Sequence, residues 1–193
     1  MSESSVDALM AARQSLRASL LAARSKWAAE AATSAMHAEL TGHLMSVLQQ
    51  LAPESLGIYS AVRSEFDVAT ACASEPMLSD TPLALPFSFR HPNRMEYRHW
   101  NRQPLTVRDE CRILAPNGAV VVPDVVLAPC VGYTAAGWRL GYGGGYFDRW
   151  MAAHPQATVI GVAWSIGEID PSDWDAQPHD CALACVVTER GVV

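Results

Sequence analysis

The chain has 193 residues, half of them hydrophobic, and 20 acidic against 14 basic side chains leave a formal charge of −6. That length is most simply one α/β domain, with two small ones as the alternative, and the apolar content is enough for a large core and too much for a disordered chain. The acidic balance argues against a general nucleic-acid binder. The longest apolar runs (120–122 and 125–128) are far too short to span a bilayer, and no secretory signal pattern opens the chain.

The first fifty residues predict helix. Ser4 and Ser5 are candidate N-caps, and Leu9, Leu16, Leu20 and Trp27 recur on one face. Arg13, Arg17 and Arg24 form a second stripe beside the apolar one. Thr33 and Ser34 mark a restart. Met36, Leu40, Leu44, Val47, Leu48 and Leu51 then line another apolar face until Pro53 ends it. Beyond Pro53 the period changes. Strands are expected at 56–60, 83–87, 95–100, 125–131, 159–164 and 183–187, and helices over 66–73 and 146–153. Strands alternating with helices predict an α/β fold with a largely parallel sheet. Pro82, Pro86, Pro92, Pro104 and Pro116 predict a loop-rich middle.

Cys72, Cys111, Cys130, Cys181 and Cys185 include no CxxC pair and are odd in number. This speaks against a disulfide framework or a structural zinc site and for reduced thiols in a cytoplasm. Among basic residues one lysine, Lys26, stands against thirteen arginines. An anion gripped by side chains here is therefore gripped by guanidinium groups, which hold phosphate or carboxylate with two parallel bonds.

The informative segment is 137–149, GWRLGYGGGYFDR, which follows the strand expected at 125–131 and runs into a helix. Four glycines in five positions let the backbone curl around a ligand, and the helix that follows offers free N–H groups at its positive dipole end. Arg139 and Arg149 flank the loop, and Asp148 stands at the helix start, where a carboxylate can ligate Mg²⁺ on a phosphate. The combination predicts a polyphosphate site. The simpler readings are a tight turn for the glycines and a helix cap for Asp148. The segment is neither a Walker A loop nor a dinucleotide-binding GxGxxG.

Residues 139–149, RLGYGGGYFDR, resemble the signature of the 5-formyltetrahydrofolate cyclo-ligase family. The surrounding chain agrees in order. Arg13-Gln14-Ser15-Leu16-Arg17 resembles the family's N-terminal basic–x–x–Leu–Arg element, and 59–67, with Glu65 and Asp67, the segment carrying its glutamate. Residues 123–133 are similar to the strand entering the glycine loop. Gly161-Val162-Ala163, Pro178-His179-Asp180 and Val186-Val187-Thr188-Glu189 resemble the closing strand, its aspartate and the final strand. The resemblance spans about residues 11–190.

It implies a three-layer α/β/α fold with a mostly parallel central sheet, of the ribose-phosphate isomerase and CoA-transferase group. It implies ATP- and Mg²⁺-dependent cyclisation of 5-formyltetrahydrofolate, with or without a polyglutamate tail, to 5,10-methenyltetrahydrofolate, releasing ADP and phosphate through a phosphorylated formyl intermediate. By position, Arg13 and Arg17 would contact ATP phosphates, and Arg139, Leu140, Gly141, Tyr142, Gly143, Gly144, Gly145, Tyr146 and Phe147 would wrap the nucleotide. Arg139, Gly143, Gly144, Gly145, Tyr146 and Asp148 would act on the reacting group. Asp148 and Asp180 would hold Mg²⁺. Glu65, Met95, Tyr97 and Tyr146 would form the pterin pocket. Nothing calls for a nucleic acid, a membrane or an obligate protein partner.

Each assignment has a plainer rival. Arg13 and Arg17 suit a solvated helix face, Glu65 a helix cap, Asp180 a turn, and Met95 and Tyr97, alternating along a strand, the core. His179 is either a ligand or an exposed turn residue, and Trp138 either contacts ligand or packs. The chain also departs from the family pattern: Arg13 stands where lysine is usual, Ala115 and Thr134 stand where an acidic residue and an aspartate are common, and a glutamine is common near Glu168. These departures motivate one rival function, a paralogue that binds folate or nucleotide without cyclising it. A non-catalytic nucleotide-binding regulator and a sugar-phosphate isomerase are the others.

Overall fold

Alternate residues of the central strands face opposite sides of one sheet, and both sides are apolar, which is the pattern of a sheet covered on both faces. The computed structural model describes residues 3–30, 34–177 and 180–193. Two helices open the chain, α1 (Glu3–Glu30) and α2 (Ser34–Leu51), followed by β1 (Leu56–Gly57) and α3 (Val68–Ser74). A hairpin of β2 (Leu83–Arg90) and β3 (Asn93–Trp100) leads to the short strands β4 (Val107–Arg108), β5 (Leu114–Ala115) and β6 (Val120–Val121). Then come β7 (Val125–Pro129), the small pair β8 (Gly132–Tyr133) and β9 (Arg139–Leu140), α4 (Tyr146–Ala153), β10 (Thr158–Val162), β11 (Cys185–Thr188) and β12 (Gly191–Val192).

Eight strands form the main sheet in the order β12-β11-β10-β7-β1-β2-β3-β6. The five from β11 to β2 run parallel, while β12, β3 and β6 pair antiparallel at the edges. On one face Val125, Leu127, Ile160 and Val162 pack with Leu40, Leu44 and Leu48 of α2 and Val68 and Cys72 of α3. On the other, Val126, Ala128 and Val159 pack with Trp150 and Met151 of α4. The molecule is thus a mixed α/β fold in three layers. The chain steps from β1 to β2 in one direction and from β7 to β10 in the other, so the strand order reverses between β1 and β7. Open parallel sheets bind ligands at the carboxyl ends of their strands beside such a reversal. Among the described residues no helix is long and apolar enough to cross a membrane.

Four sequence expectations shift. Helix α1 begins at Glu3, ahead of Ser4 and Ser5, which therefore lie inside it rather than capping it. Its arginine stripe turns inward: Arg24, 3% exposed, is the most buried of its described residues. Helix α3 starts at Val68 because Asp67 caps it, its side chain accepting from Thr70 N at 3.1 Å. The proline-rich middle holds the longest hairpin of the sheet, with Pro86 inside β2 opposite Tyr97. The nitrogen of residue 86 faces β1 just past Gly57, so the β1–β2 ladder stops where the proline cannot donate, while the β2–β3 pairing continues through it.

Candidate active site

The carboxyl ends of β1, β2 and β7 open into a cleft of about 1200 Å³ that α1 borders from above. Its most unusual wall is the glycine loop. Strands β8 and β9 form a tight ribbon closed by Thr134, whose N–H donates to Trp138 O at 3.0 Å while its Oγ1 accepts from Trp138 N at 3.3 Å. This pairing holds Arg139 and Leu140 in a strand and buries them. Trp138 is half-buried and lies outside the cleft lining. The chain leaves the sheet at Gly141 and enters α4 through Gly145. Gly143 and Gly145 take φ of +90° and +63°, the left-handed region that other residues adopt only at a cost. Gly145 occupies the N-cap position of α4, so Asp148 lies in the first turn and does not cap it.

Arginines brace this loop from three elements. Arg17 of α1 donates from Nε to Gly141 O at 2.6 Å, and Arg149 of α4 donates to Gly144 O at 2.5 Å. Burial, and then the neighbouring charge of Arg13, pulls the Arg17 pKa below its ordinary value. Two guanidinium groups near each other in a half-buried wall favour an anion between them. Arg139, 6% exposed, donates to Asp148 Oδ1 at 2.8 Å and to Pro129 O at 3.4 Å. Arg13 donates to Asp180 Oδ1 at 3.1 Å and to Asp175 O at 2.7 Å, with its guanidinium 4.4 Å from the Trp174 ring centre. Each of the two carboxylates expected at a metal is thus ion-paired to an arginine expected at a phosphate.

The two carboxylates come from separate elements and border one cleft. Cys181, next to Asp180, places its Sγ 3.8 Å from Asp148 O. Among the described residues no cluster of three or more His, Cys, Asp or Glu makes a cage of its own. Two carboxylates nevertheless match the needs of Mg²⁺, which usually takes one or two carboxylates and completes its shell with phosphate oxygens and water. The donor set therefore fits a cation that arrives with a phosphate.

The opposite wall carries Glu65. It does not cap α3. Its Oε2 accepts from Val62 N at 2.8 Å and its Oε1 from the Tyr142 hydroxyl at 2.7 Å, so it reaches across to the glycine loop. Desolvation raises its pKa above the ordinary carboxylate value, partly offset by those two bonds and by Arg24 and Arg63. Tyr146 lies at the helix end of the loop, its hydroxyl donating to Phe89 O at 3.3 Å and lying 3.1 Å from Cys111 Sγ. Met95 and Phe147 border the same space.

The structure therefore brings together Arg13, Arg17, Glu65, Met95, Arg139 to Phe147, Asp148 and Asp180. Tyr97 is the correction. It is fully buried, 5.1 Å from Trp150 in an edge-to-face pair, because its side chain points to the α4 layer as part of the core. Pro178 and His179 lie outside the described residues. Of the departures from the family pattern, Arg13 borders the cleft, while Ala115, Thr134 and Glu168 do not. Sequence reasoning missed Arg24, Asp109 and Cys111. Arg24 was foreshadowed by the stripe it shares with Arg17. Asp109 and Cys111 sit on a loop that only tertiary packing delivers, where Asp109 accepts from Ser88 N at 3.1 Å.

Comparison with known proteins agrees with this arrangement. Residues 9–189 match the 5-formyltetrahydrofolate cyclo-ligase family. A 5-formyltetrahydrofolate cyclo-ligase of Mycoplasma pneumoniae is 40% identical over 68 residues, covering 35% of this chain and 40% of that protein. One of Mycolicibacterium smegmatis is 39% identical over 72 residues, covering 36% of each. These alignments span well under half the length of either relative. The NMR structure of Aquifex aeolicus 5,10-methenyltetrahydrofolate synthetase superposes with a TM-score of 0.75 at 24% identity, over 93% of this chain and 91% of that one. The synthetase structure from Mycoplasma pneumoniae superposes with a TM-score of 0.69 at 19% identity, over 91% and 97%. At such identities the two structures establish a common fold. The family match, in contrast, runs through every segment that builds the cleft, and the chain belongs to the 5-formyltetrahydrofolate cyclo-ligase family.

Proposed function

We propose that this protein cyclises 5-formyltetrahydrofolate to 5,10-methenyltetrahydrofolate, consuming ATP with Mg²⁺ and releasing ADP and phosphate. The observation that carries the reading is the joining of two half-sites in one cleft: a glycine loop braced by Arg17 and Arg149, and a desolvated carboxylate, Glu65, facing it. Neither half alone distinguishes a cyclo-ligase from a nucleotide-binding protein.

The chemistry follows from what each half offers. A formamide oxygen is a poor leaving group. In the proposed reaction it attacks the γ-phosphorus of ATP, the bond to the bridging oxygen breaks, and ADP leaves. N10 of the folate then attacks the activated carbon and loses its proton, and phosphate departs as the ring closes. The protein needs no nucleophile of its own; it positions reactants and balances charge. Arg13, Arg17, Arg139 and Arg149 supply positive charge around the phosphates, and the left-handed glycines let the backbone approach them. Glu65 accepts N–H bonds from the pterin edge, Met95 and Tyr146 flank it, and Asp148 and Asp180 hold the cation. Mg²⁺, when bound, neutralises phosphate charge. The Arg139–Asp148 and Arg13–Asp180 pairs hold both carboxylates in place. Five free thiols suit a reducing compartment, in keeping with a cytoplasmic enzyme acting on free or polyglutamylated folate.

The test is direct. Purified protein is mixed with 5-formyltetrahydrofolate, Mg²⁺ and ATP, and the near-ultraviolet absorbance of the methenyl product is followed. ATP-dependent growth of that band is expected. A flat trace from folded, ATP-binding protein would transfer the case to the non-cyclising paralogue.

A further inference from the structure

Arg24 is the most buried described residue of α1, yet no step above uses it. One of its terminal nitrogens donates to Cys130 O at 3.3 Å, just beyond β7. The other donates to the Tyr142 hydroxyl at 2.5 Å. That hydroxyl in turn donates to Glu65 Oε1 at 2.7 Å. Two guanidinium groups lie near the Tyr142 ring, Arg24 at 5.8 Å and Arg63 at 5.5 Å from its centre. One continuous chain of hydrogen bonds thus runs from the end of β7 through α1 and the glycine loop to the carboxylate on the far wall. Tyr142 is also the only large side chain among the five residues 141–145.

We propose that Arg24 and Tyr142 are positioning residues that fix the Glu65 carboxylate for an N–H-bearing heterocycle, so that the order of the glycine loop sets the affinity of the facing half-site. The inference rests on the cyclo-ligase reading for the identity of that heterocycle, the pterin. A carboxylate can accept from Tyr142, from Val62 N–H and from substrate at once, because its two oxygens offer about four lone-pair positions. Charge-assisted bonds of this kind both orient a carboxylate and stabilise its ionised form. The charged and titratable groups around Glu65 are Arg24 from α1, Tyr142 from the glycine loop, Arg63 and Tyr59 from its own segment, and Cys130 after β7. Burial is the largest influence on Glu65 and opposes its charge; Tyr142, Arg24 and Arg63 act the other way. Removing Tyr142 Oη or the Arg24 charge therefore leaves Glu65 ionising at a higher pH.

The experiment compares wild type, Tyr142→Phe, Arg24→Met and Arg24→Lys. The first readout is the NMR titration of the ¹³C-labelled Glu65 carboxyl, which needs no turnover. The second is the KM for 5-formyltetrahydrofolate and for ATP across pH. Tyr142→Phe and Arg24→Met are expected to move the Glu65 titration to higher pH. They also raise the folate KM about three- to tenfold near neutrality while the ATP KM changes less, the scale of one hydrogen bond. Arg24→Lys, which keeps the charge, should recover part of the shift. A Tyr142→Phe protein whose Glu65 titration and folate KM match wild type overturns the proposal, as does one whose defect lies in the ATP KM alone. A wild type that turns nothing over refutes the cyclo-ligase reading instead, and the titration still decides whether Arg24 and Tyr142 hold Glu65.

Discussion

Arg139 Nη2 donates to Asp148 Oδ1 at 2.8 Å, closing the ten-residue span 139–148 that contains the whole glycine loop. The guanidinium side of this pair is 4% exposed and the carboxylate side 21%. One bond therefore ties the strand that enters the loop to the helix that leaves it, with the arginine anchored beneath and the carboxylate at the edge of the cleft.

Asp148→Asn should lower turnover at least about a hundredfold, the scale of losing a charge contact made at the reacting phosphate. Steady-state kinetics at saturating ATP and Mg²⁺ would measure this. Turnover within a few-fold of wild type would reduce Asp148 to a prop for Arg139.

Glu65 should give the proposed reaction a pH signature. Its pKa is raised, first by desolvation, so it protonates at a higher pH than an ordinary carboxylate. A protonated carboxyl no longer accepts two N–H bonds, and kcat/KM for the folate should fall as pH drops through that raised value. Glu65→Gln should raise the folate KM and abolish this acid limb. Stability runs the other way. With the folded pKa above the unfolded one, the contribution of Glu65 is full below the unfolded value and is lost as pH rises through the folded one. Glu65→Gln should flatten that part of the stability profile; an unchanged acid limb would remove Glu65 from the substrate wall.

Gly145→Ala tests the loop backbone. At a φ of +63° an alanine costs roughly 1–2 kcal/mol. Its Cβ would also lie 2.8 Å from Arg149 Nη1, close enough to displace the guanidinium. The expected result is a Tm lower by roughly 2–8 °C together with weaker ATP binding. A variant as stable and as tight as wild type would show that the left-handed turn is dispensable.

Tyr97→Phe separates core from pocket. The Tyr97 hydroxyl is buried and has no hydrogen-bond partner among the described residues. Removing it should stabilise the protein by about 1 kcal/mol, the lower end of what an unpaired buried polar group costs. The folate KM should not change. A raised folate KM would return Tyr97 to the substrate wall.

Much of this molecule is encoded locally. The helix expected over residues 146–153 is there, the parallel strand β7 sits inside the apolar run that predicts it, and β10 and β11 overlap theirs with one residue beyond, because a strand buried on both faces must be largely apolar. The glycine loop was readable for a similar reason: φ above zero at Gly143 and Gly145 demands residues without a Cβ. Motif order carried the family, and with it Arg13, Arg17, Glu65, Asp148 and Asp180. Tertiary structure alone decided which way those side chains face and what they hold. Met95 and Tyr97 share one strand and one alternation phase, yet Met95 borders the cleft while Tyr97 is sealed beneath α4. Arg24 belongs to a helical stripe that reads as solvated surface. It is the most buried described residue of α1, and the glycine loop, more than a hundred residues later, places a tyrosine hydroxyl against it. Periodicity records which face of a helix is apolar, but a buried cation is defined by its partners, and those arrive from elements distant in the chain.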